Sequence, residues 1–475
     1  MSIYNRSASC LSESRLLSIS EVMHEKFNLH KDHPFGVYFH SLTLLSNEEI
    51  SHIRVQIAFY KLSKLHKLLR CCLIKDSNGD LLFHEMNYKY DDWMLFTMHD
   101  VTTEVDWLTI TTSLLSVRFD AEKGPMWRVI WMKFPNKNDI QYKYVLVFVA
   151  MHLICDARSV FDLLTNQFMP LLENNSVESN YVQNKPISFP KSFEMLFENK
   201  TDAELSVSRC NTPLIMKWVI NTAHWLYHSS LSTAKFDRFK QVDKRRNSSS
   251  LSHFLLHINP DLSKEFIDIC KLHKCSVHAV LITVLTIAGI DLAKDSGLPV
   301  DTLKTINFPI DMRKFNKELT TSPMPLGQFV GMGKATPKIS LPYDKESLFC
   351  QAQIITADIK KQNISQQSSI FAMAIAHILK KKWDLSHLAR YIFSYPLLYF
   401  SNIGSCNSYK SNGQIQVEAQ NFGVNTKDSI FVTLMTFNNS MRFCVGYDNG
   451  WFNSEYVEKF VTKIYILIEE LTTNT

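Results

Sequence analysis

KYVLVFVAMHLICDARS, at residues 143–159, is the stretch that decides the fold. It is apolar at every position from Tyr144 to Met151, which is typical of a strand buried on both faces of a sheet. His152 follows the last apolar residue, and apolar residues at helical spacing begin after Asp156. A buried strand that leads through a polar turn into a helix predicts mixed α/β structure. It also places a titratable imidazole at the edge of the core.

Helical and strand patterns continue on both sides of this stretch. Residues 48–69 and 276–290 carry apolar residues at helical spacing, and residues 125–133 have the pattern of a strand. Further predicted elements are helices over residues 12–27 and 454–471 and strands over residues 252–258, 305–310, 397–402, 414–419, 429–436 and 441–447, the last two joined by a hairpin at Asn438-Asn439. Both halves of the chain mix sheet and helix, which predicts an α+β protein with two related lobes.

Length and composition favour two domains. The chain has 475 residues, of which 45% are hydrophobic, enough to bury more than one core. Polar stretches flank an apolar segment near the middle of the chain, LIMKWVINTAHWLY at residues 214–227. We therefore predict an N-terminal lobe over residues 1–198 and a crossover linker with an apolar helix over residues 199–251. The C-terminal lobe is predicted over residues 252–475.

Charge, glycine and cysteine content argue against several classes of function. A net charge of +5 spread over the whole chain is not the clustered basic surface of a nucleic-acid-binding protein, so no nucleic-acid partner is expected. The chain has 13 glycines and no GxSxG sequence, which argues against phosphate loops and serine hydrolases. Ten cysteines without a CxxC pair indicate neither a disulfide scaffold nor a zinc module, so no metal is expected. The N-terminus lacks an apolar signal sequence, which favours an intracellular location.

His152 and Asp156 form the sharpest local feature, a His-x3-Asp sequence where the strand gives way to the helix. The spacing alone is weak evidence, because about one such pair is expected by chance. A second copy indeed occurs at His257 and Asp261. One interpretation is a core histidine followed by a helix-capping aspartate, and the other is a general base at the edge of a cleft. Cys155, inside the motif, is interpreted as a packed cysteine rather than a nucleophile.

The order of several sequence phrases carries a resemblance to a known family. They are HLICDARS at residues 152–159, INFPIDMRK at 306–314, LGQFVGMG at 326–333, YFSNIG at 399–404, NFGVN at 421–425 and FCVGYDNGWFNSEYVEKF at 443–460. In this order they resemble the CoA-dependent acyltransferase superfamily, whose active site is an HxxxD motif, and within it the fungal alcohol acetyltransferase family. Only HxxxD is highly specific. The chain departs from the pattern at Ala157, where many relatives have glycine, and at NFGVN, where plant members have DFGWG.

The resemblance implies two similar α/β lobes, as in chloramphenicol acetyltransferase, with an active-site tunnel between them. It places His152 at the general-base position and makes Asp156 structural, paired with Arg313 of the other lobe. Ser401 and Asn402 match a polar pair that would face the tetrahedral oxyanion.

The resemblance also implies an activity. The expected reaction moves an acetyl group from acetyl-CoA, as co-substrate, to a small acceptor with an apolar tail in a ternary complex. The favoured acceptor is the amine of a sphingosine-like amino alcohol. An alcohol O-acetyltransferase that makes acetate esters is the alternative, and a non-catalytic two-lobed binding protein is the alternative from another class. A monomer, in the cytoplasm or peripheral on endoplasmic reticulum or lipid droplets, is expected.

Overall fold

A computed structural model gives the structure of the protein. It describes residues 14–18, 21–22, 25, 36–86, 95–136, 141–173, 187, 189, 251–298, 300–313, 317–320, 323–339, 342–365, 398–406, 409, 413–426, 429–450 and 452–473. The predicted linker lies outside these residues except at Leu251, and so does the apolar segment at residues 214–227.

The chain forms two compact units, and neither is one continuous half of the sequence. Unit 1 consists of Met1–Ser192 together with Asp311–Val330 and Ser405–Phe422. Unit 2 consists of Phe193–Ile310, Gly331–Gly404 and Gly423–Thr475. Two segments of the predicted C-terminal lobe therefore belong to unit 1, one of which carries Arg313. A single boundary at the linker does not assign these two segments to unit 1.

A five-stranded sheet in the order β12-β2-β7-β6-β5 forms the centre of unit 1. Its strands are β2 (Val37–Ser46), β5 (Leu95–Asp100), β6 (Trp127–Lys133), β7 (Tyr142–Met151) and β12 (Ile415–Val424). β7 pairs with β2 and β6 in antiparallel registers. Its residues from Tyr144 onward are all buried, which confirms the strand predicted to be covered on both faces.

Helices cover this sheet. They are α1 (His52–Leu65), α2 (Glu104–Leu115), α3 (Ala157–Asp162), a π-helical segment (Leu163–Phe168) and α4 (Met169–Glu173). The core between α1, the sheet and the π-helical segment is aromatic. The Phe59 ring centroid lies 5.6 Å from that of Trp127, 6.0 Å from that of Phe148 and 4.8 Å from that of Phe168. This core holds the strand that leads into His152 and the helix that follows it.

A small antiparallel sheet in the order β1-β4-β3 corrects the helix predicted over residues 12–27. Ser14–Leu16 is β1 and pairs with β4 (Leu81–Glu85), which in turn pairs with β3 (Cys71–Lys75). A capping box between Ser18 and Glu21 marks the start of helical structure: the Glu21 N–H donates to Ser18 Oγ, and the Ser18 N–H donates to the Glu21 carboxylate. The helical spacing is therefore wrong for the first part of that range, because strand pairing overrides it.

Unit 2 holds most of a six-stranded sheet in the order β10-β9-β11-β13-β14-β8. The strands are β8 (Leu251–Ile258), β9 (Ile306–Asp311), β10 (Val330–Ala335), β11 (Leu398–Cys406), β13 (Ile430–Phe437) and β14 (Ser440–Asp448). The helices are α5 (Pro260–Leu272), α6 (Val277–Asp295), α7 (Lys345–Ser365) and α8 (Ser454–Thr472). The hairpin at Asn438-Asn439 is confirmed, because both residues adopt positive φ between β13 and β14.

α6 is long and apolar enough to cross a membrane by length and composition, but 78% of its apolar window is buried inside the protein. Such burial is typical of a core helix. α2, α7 and the strands β1 to β5 and β10 were not predicted from the sequence, whereas α1, α6, α8 and the other strands were.

Candidate active site

His152 begins the turn that ends β7. Its backbone N–H donates to the Gly36 carbonyl over 2.7 Å, and the Ile154 N–H closes the turn on the Met151 carbonyl over 3.2 Å. The next residues, from Leu153 to Asp156, are buried, whereas His152 as a whole residue is half-buried, with its Nδ1 atom inside the protein. The fully apolar strand thus ends where sequence reasoning expected it to end, and it presents one imidazole at the edge of the unit 1 core.

The surroundings of His152 keep its ring neutral. Burial lowers the pKa of His152, and hydrogen bonding to the backbone of His152 and Cys155, together with the charge of Asp156, opposes this shift without reversing it. The Tyr38 ring centroid lies 5.5 Å from that of His152, with the planes tilted by 58°. A neutral imidazole at pH 7 is the form that accepts a proton, so the chemistry of the ring suits a general base.

Asp156 is the N-cap of α3. Its Oδ1 accepts from the Ser159 N–H over 3.0 Å, and the Asp156 N–H donates to Ser159 Oγ over 3.1 Å, which completes a capping box. The same carboxylate accepts from Arg313 Nη2 over 2.9 Å and from the Phe329 N–H over 2.9 Å. The Asp156 and Arg313 side chains are each 2% exposed. All of these donors are internal, so the carboxylate holds structure together rather than meeting a substrate.

The electrostatics of Asp156 favour the charged form. Burial by itself would raise the pKa of Asp156, but the Arg313 guanidinium and the two backbone N–H donors outweigh it and lower the pKa. Asp156 is thus both the helix cap of one interpretation of the sequence and the partner of Arg313 that the resemblance implies.

Arg313 lies in the segment Asp311–Val330, which belongs to the same unit as His152 rather than to the other one. This segment contacts α3 at a second point, because the Met324 N–H donates to Asp162 Oδ2 over 3.1 Å. Gly327 adopts a φ of +154°, and a Cβ there would come within 2.6 Å of the Phe329 ring. Glycine adopts this backbone conformation readily, and the N–H of Phe329, two residues further on, donates to Asp156.

Ser401 and Asn402 are neighbours on β11, so strand alternation points their side chains to opposite faces of the sheet. Asn402 and Phe400 lie on the same face of the sheet. The Phe400 ring stacks on the His278 ring of α6, with 4.8 Å between the ring centroids. Asn402 Oδ1 accepts from the Gly404 N–H over 2.8 Å. The two side chains therefore do not share a face of the sheet, and Asn402 has a local partner; the predicted oxyanion role of the pair stays a prediction.

Sequence reasoning missed Tyr38, which lies on β2 opposite Ala150 of β7. Its hydroxyl donates to Cys155 Sγ over 2.8 Å. Burial raises the pKa of the Cys155 thiol, so the group is a packed thiol and not a thiolate nucleophile. No local sequence signal marks Tyr38, because its neighbourhood depends on the pairing of two strands far apart in the chain.

Within the described residues, no cluster of three or more His, Cys, Asp or Glu side chains is arranged to hold a metal ion.

Comparison with known proteins identifies the fold. No protein-family profile and no curated protein matches the sequence. TRI3 trichothecene 15-O-acetyltransferase from Fusarium sporotrichioides is similar in structure with a TM-score of 0.65 and 11% identity, over 98% of this chain and 97% of that chain. The condensation domain of the Monacolin K polyketide synthase MokA aligns with a TM-score of 0.59 and 10% identity, over 97% of this chain and 98% of that domain.

The epimerization domain from the third module of tyrocidine synthetase B is similar as well, with a TM-score of 0.57 and 13% identity over 98% of both chains. These likenesses show a two-lobed α/β fold like that of condensation and acyltransferase domains. The α+β prediction is thereby confirmed. Membership of the fungal alcohol acetyltransferase family stays a prediction.

Proposed function

We propose that the protein transfers an acetyl group from acetyl-CoA to the amine of a hydrophobic, sphingosine-like amino alcohol, with His152 as general base. The observation that carries this proposal is the combination at the end of β7. The neutral imidazole of a half-buried residue stands one turn before a carboxylate whose donors are all internal. Such an arrangement leaves the ring as the group available to an incoming molecule.

The proton balance of this reaction is simple. The unprotonated nitrogen of the neutral imidazole takes the proton from the acceptor as the acceptor atom attacks the thioester carbonyl carbon. The tetrahedral adduct then collapses, the C–S bond breaks, and the proton passes from the imidazolium to the leaving thiolate, giving free CoA thiol. General-base assistance of this kind contributes about 10²- to 10⁴-fold in rate. No covalent acyl-enzyme forms, so both substrates bind together.

The shared fold supports the reaction class, and the resemblance of the sequence supports the choice of substrates. TRI3, which shares the fold, is named as an O-acetyltransferase, and this supports acyl transfer as the reaction class. The preference for acetyl-CoA and an apolar acceptor comes from the resemblance of the sequence phrases. A monomeric state and a location in the cytoplasm or peripheral on endoplasmic reticulum or lipid droplets are proposed on the same resemblance.

Release of free CoA thiol tests the proposal. Purified protein is supplied with acetyl-CoA and a panel of long-chain alcohols and amino alcohols, and products are identified by mass. Acceptor-dependent thiol release that falls at least about 100-fold in His152→Ala is expected. His257→Ala is the matched control, because His257 also begins a His-x3-Asp sequence but lies exposed on β8. Absence of release across the panel, with acetyl-CoA still bound, would favour the non-catalytic binding protein.

The pH dependence separates amine from alcohol acceptors. Deprotonation of His152 raises the rate as pH rises through its lowered pKa in both cases. An amine with a pKa of about 10 must also lose its proton before it attacks, so N-transfer keeps gaining at higher pH. O-transfer levels off once the imidazole is neutral. A plateau above neutral pH would therefore reassign the protein to ester formation.

A further inference from the structure

Tyr38 contacts both ends of the turn that carries His152. Its ring lies 5.5 Å from the His152 ring, and its hydroxyl donates to Cys155 Sγ over 2.8 Å. The thiol of Cys155 in turn points at the Met151 carbonyl at 3.8 Å, a weak contact with the residue just before His152. One side chain on β2 thus spans the turn from the imidazole to the residue before Asp156.

The protonation states of this pair exclude a chemical role. Burial raises the pKa of Tyr38 well above its usual value, and the neighbouring Cys155 adds to this shift. Burial also raises the pKa of Cys155. Both groups are therefore neutral at physiological pH, and Tyr38 is only 1% exposed. A phenol and a thiol in this state neither take a proton from a substrate nor attack a thioester, so any contribution they make is geometric.

Hydrogen bonds hold the two ends of the turn, and one backbone hydrogen bond, from the Ile154 N–H to the Met151 carbonyl, lies inside it. The His152 N–H is held by the Gly36 carbonyl, and Asp156 is held by Arg313, Ser159 and Phe329. The Tyr38 hydroxyl supplies a side-chain hydrogen bond between these ends. The imidazole is attached to the part of the backbone that this bond restrains, and the Tyr38 ring limits its movement on one side.

We infer that Tyr38 is a positioning residue, whose hydroxyl, through Cys155, fixes the turn and with it the direction of the His152 imidazole. This inference rests on the proposed function, because it assigns a role in a reaction that His152 performs. It gives the third position after His152 in this chain a specific requirement: a side chain that accepts a hydrogen bond from a tyrosine on the neighbouring strand.

The experiment compares Tyr38→Phe, Cys155→Ala, the double variant and Cys155→Ser in the CoA-release assay. Tyr38→Phe keeps the ring beside His152 and removes only the hydroxyl. Loss of one hydrogen bond with a positioning role is expected to lower kcat by about five- to tenfold, with the KM for acetyl-CoA unchanged. Cys155→Ala is expected to match this loss, and the double variant to be no slower than either single variant. Cys155→Ser, which keeps an acceptor, is expected to retain at least about half of kcat.

Tyr144→Phe is the matched control. The Tyr144 hydroxyl is also buried and accepts from the Ile50 N–H over 3.0 Å, but it lies at the opposite end of β7. Both tyrosine variants lose one buried hydroxyl from the same sheet, so a purely structural effect lowers the melting temperatures alike and leaves kcat alike. An equal kcat in Tyr38→Phe and Tyr144→Phe, or independent losses that multiply in the double variant, would overturn the inference.

A second readout does not depend on turnover. The ring signals of His152 in protein with ¹³C,¹⁵N-labelled histidine, assigned by their loss in His152→Ala, report the mobility of the imidazole. They are expected to shift or broaden in Tyr38→Phe and to stay unchanged in Tyr144→Phe. If the wild type releases no CoA with any acceptor, the proposed function fails while this measurement still decides the positioning role. Unchanged His152 signals in Tyr38→Phe would refute it.

Discussion

Removing Asp156 tests the structural account of the site most directly. Asp156→Ala leaves three buried donors without their acceptor: the Arg313 guanidinium and the N–H groups of Ser159 and Phe329. Breaking a buried ion pair by removing one member costs about 3 to 5 kcal/mol, chiefly because the remaining charge is stranded. Asp311 compensates little, because its contact with Arg313 spans 3.3 Å and its side chain is 50% exposed. We therefore expect Asp156→Ala to lower the free energy of unfolding by about 5 kcal/mol.

Arg313→Met is expected to lower the free energy of unfolding by less, about 3 kcal/mol. The reason is that the Asp156 carboxylate keeps its two backbone N–H donors. The double variant should be less destabilised than the two single changes added together, since no unpaired charge remains. Urea unfolding followed by circular dichroism, with CoA release on the same samples, measures both effects. Asp268→Ala is the control, because it removes an exposed pair with Lys271 at 2.9 Å and is expected to leave stability unchanged.

The sign of the pH dependence follows from the lowered pKa of Asp156. The contribution of the pair is fully present above the pKa of an unfolded aspartate, about 3.9, and it is lost as pH falls through the lower folded value. Stability at neutral pH therefore does not depend on its titration. A loss below about 1 kcal/mol in Asp156→Ala, or strictly additive losses in the double variant, would refute the reasoning.

Two further predictions concern buried groups of unit 1. Burial lowers the pKa of both His40 and His66 to about 4, so each imidazole contributes stability above pH 6.5 that is lost as pH falls towards 4, by about 3 kcal/mol each. Replacing both by glutamine is expected to flatten the fall in the urea midpoint between these pH values, and parallel curves would contradict this. Gly327→Ala is expected to lower the melting temperature more than Gly79→Ala, because a Cβ at Gly327 meets Phe329 whereas nothing lies within 4 Å of one at Gly79. Equal shifts would show that the Phe329 ring moves aside freely.

The sequence by itself determined the elements whose signal is local. The apolar run of β7 ends at Met151, and Asp156 caps α3, as the pattern indicates. The hairpin at Asn438-Asn439 and the final helix also follow from short-range preferences of the chain. Strand alternation at β11 was equally available from the sequence, since a period of two separates the side chains of Ser401 and Asn402.

Tertiary structure alone decided which distant segments surround His152. Tyr38 reaches the turn because β2 pairs with β7, and Arg313 reaches Asp156 because the segment Asp311–Val330 packs in unit 1. The N-terminal strand Ser14–Leu16 likewise exists through its pairing with β4 rather than through its own helical spacing. Periodicity records which face of an element is buried, but the partner of that face depends on pairing and packing between residues far apart in the chain.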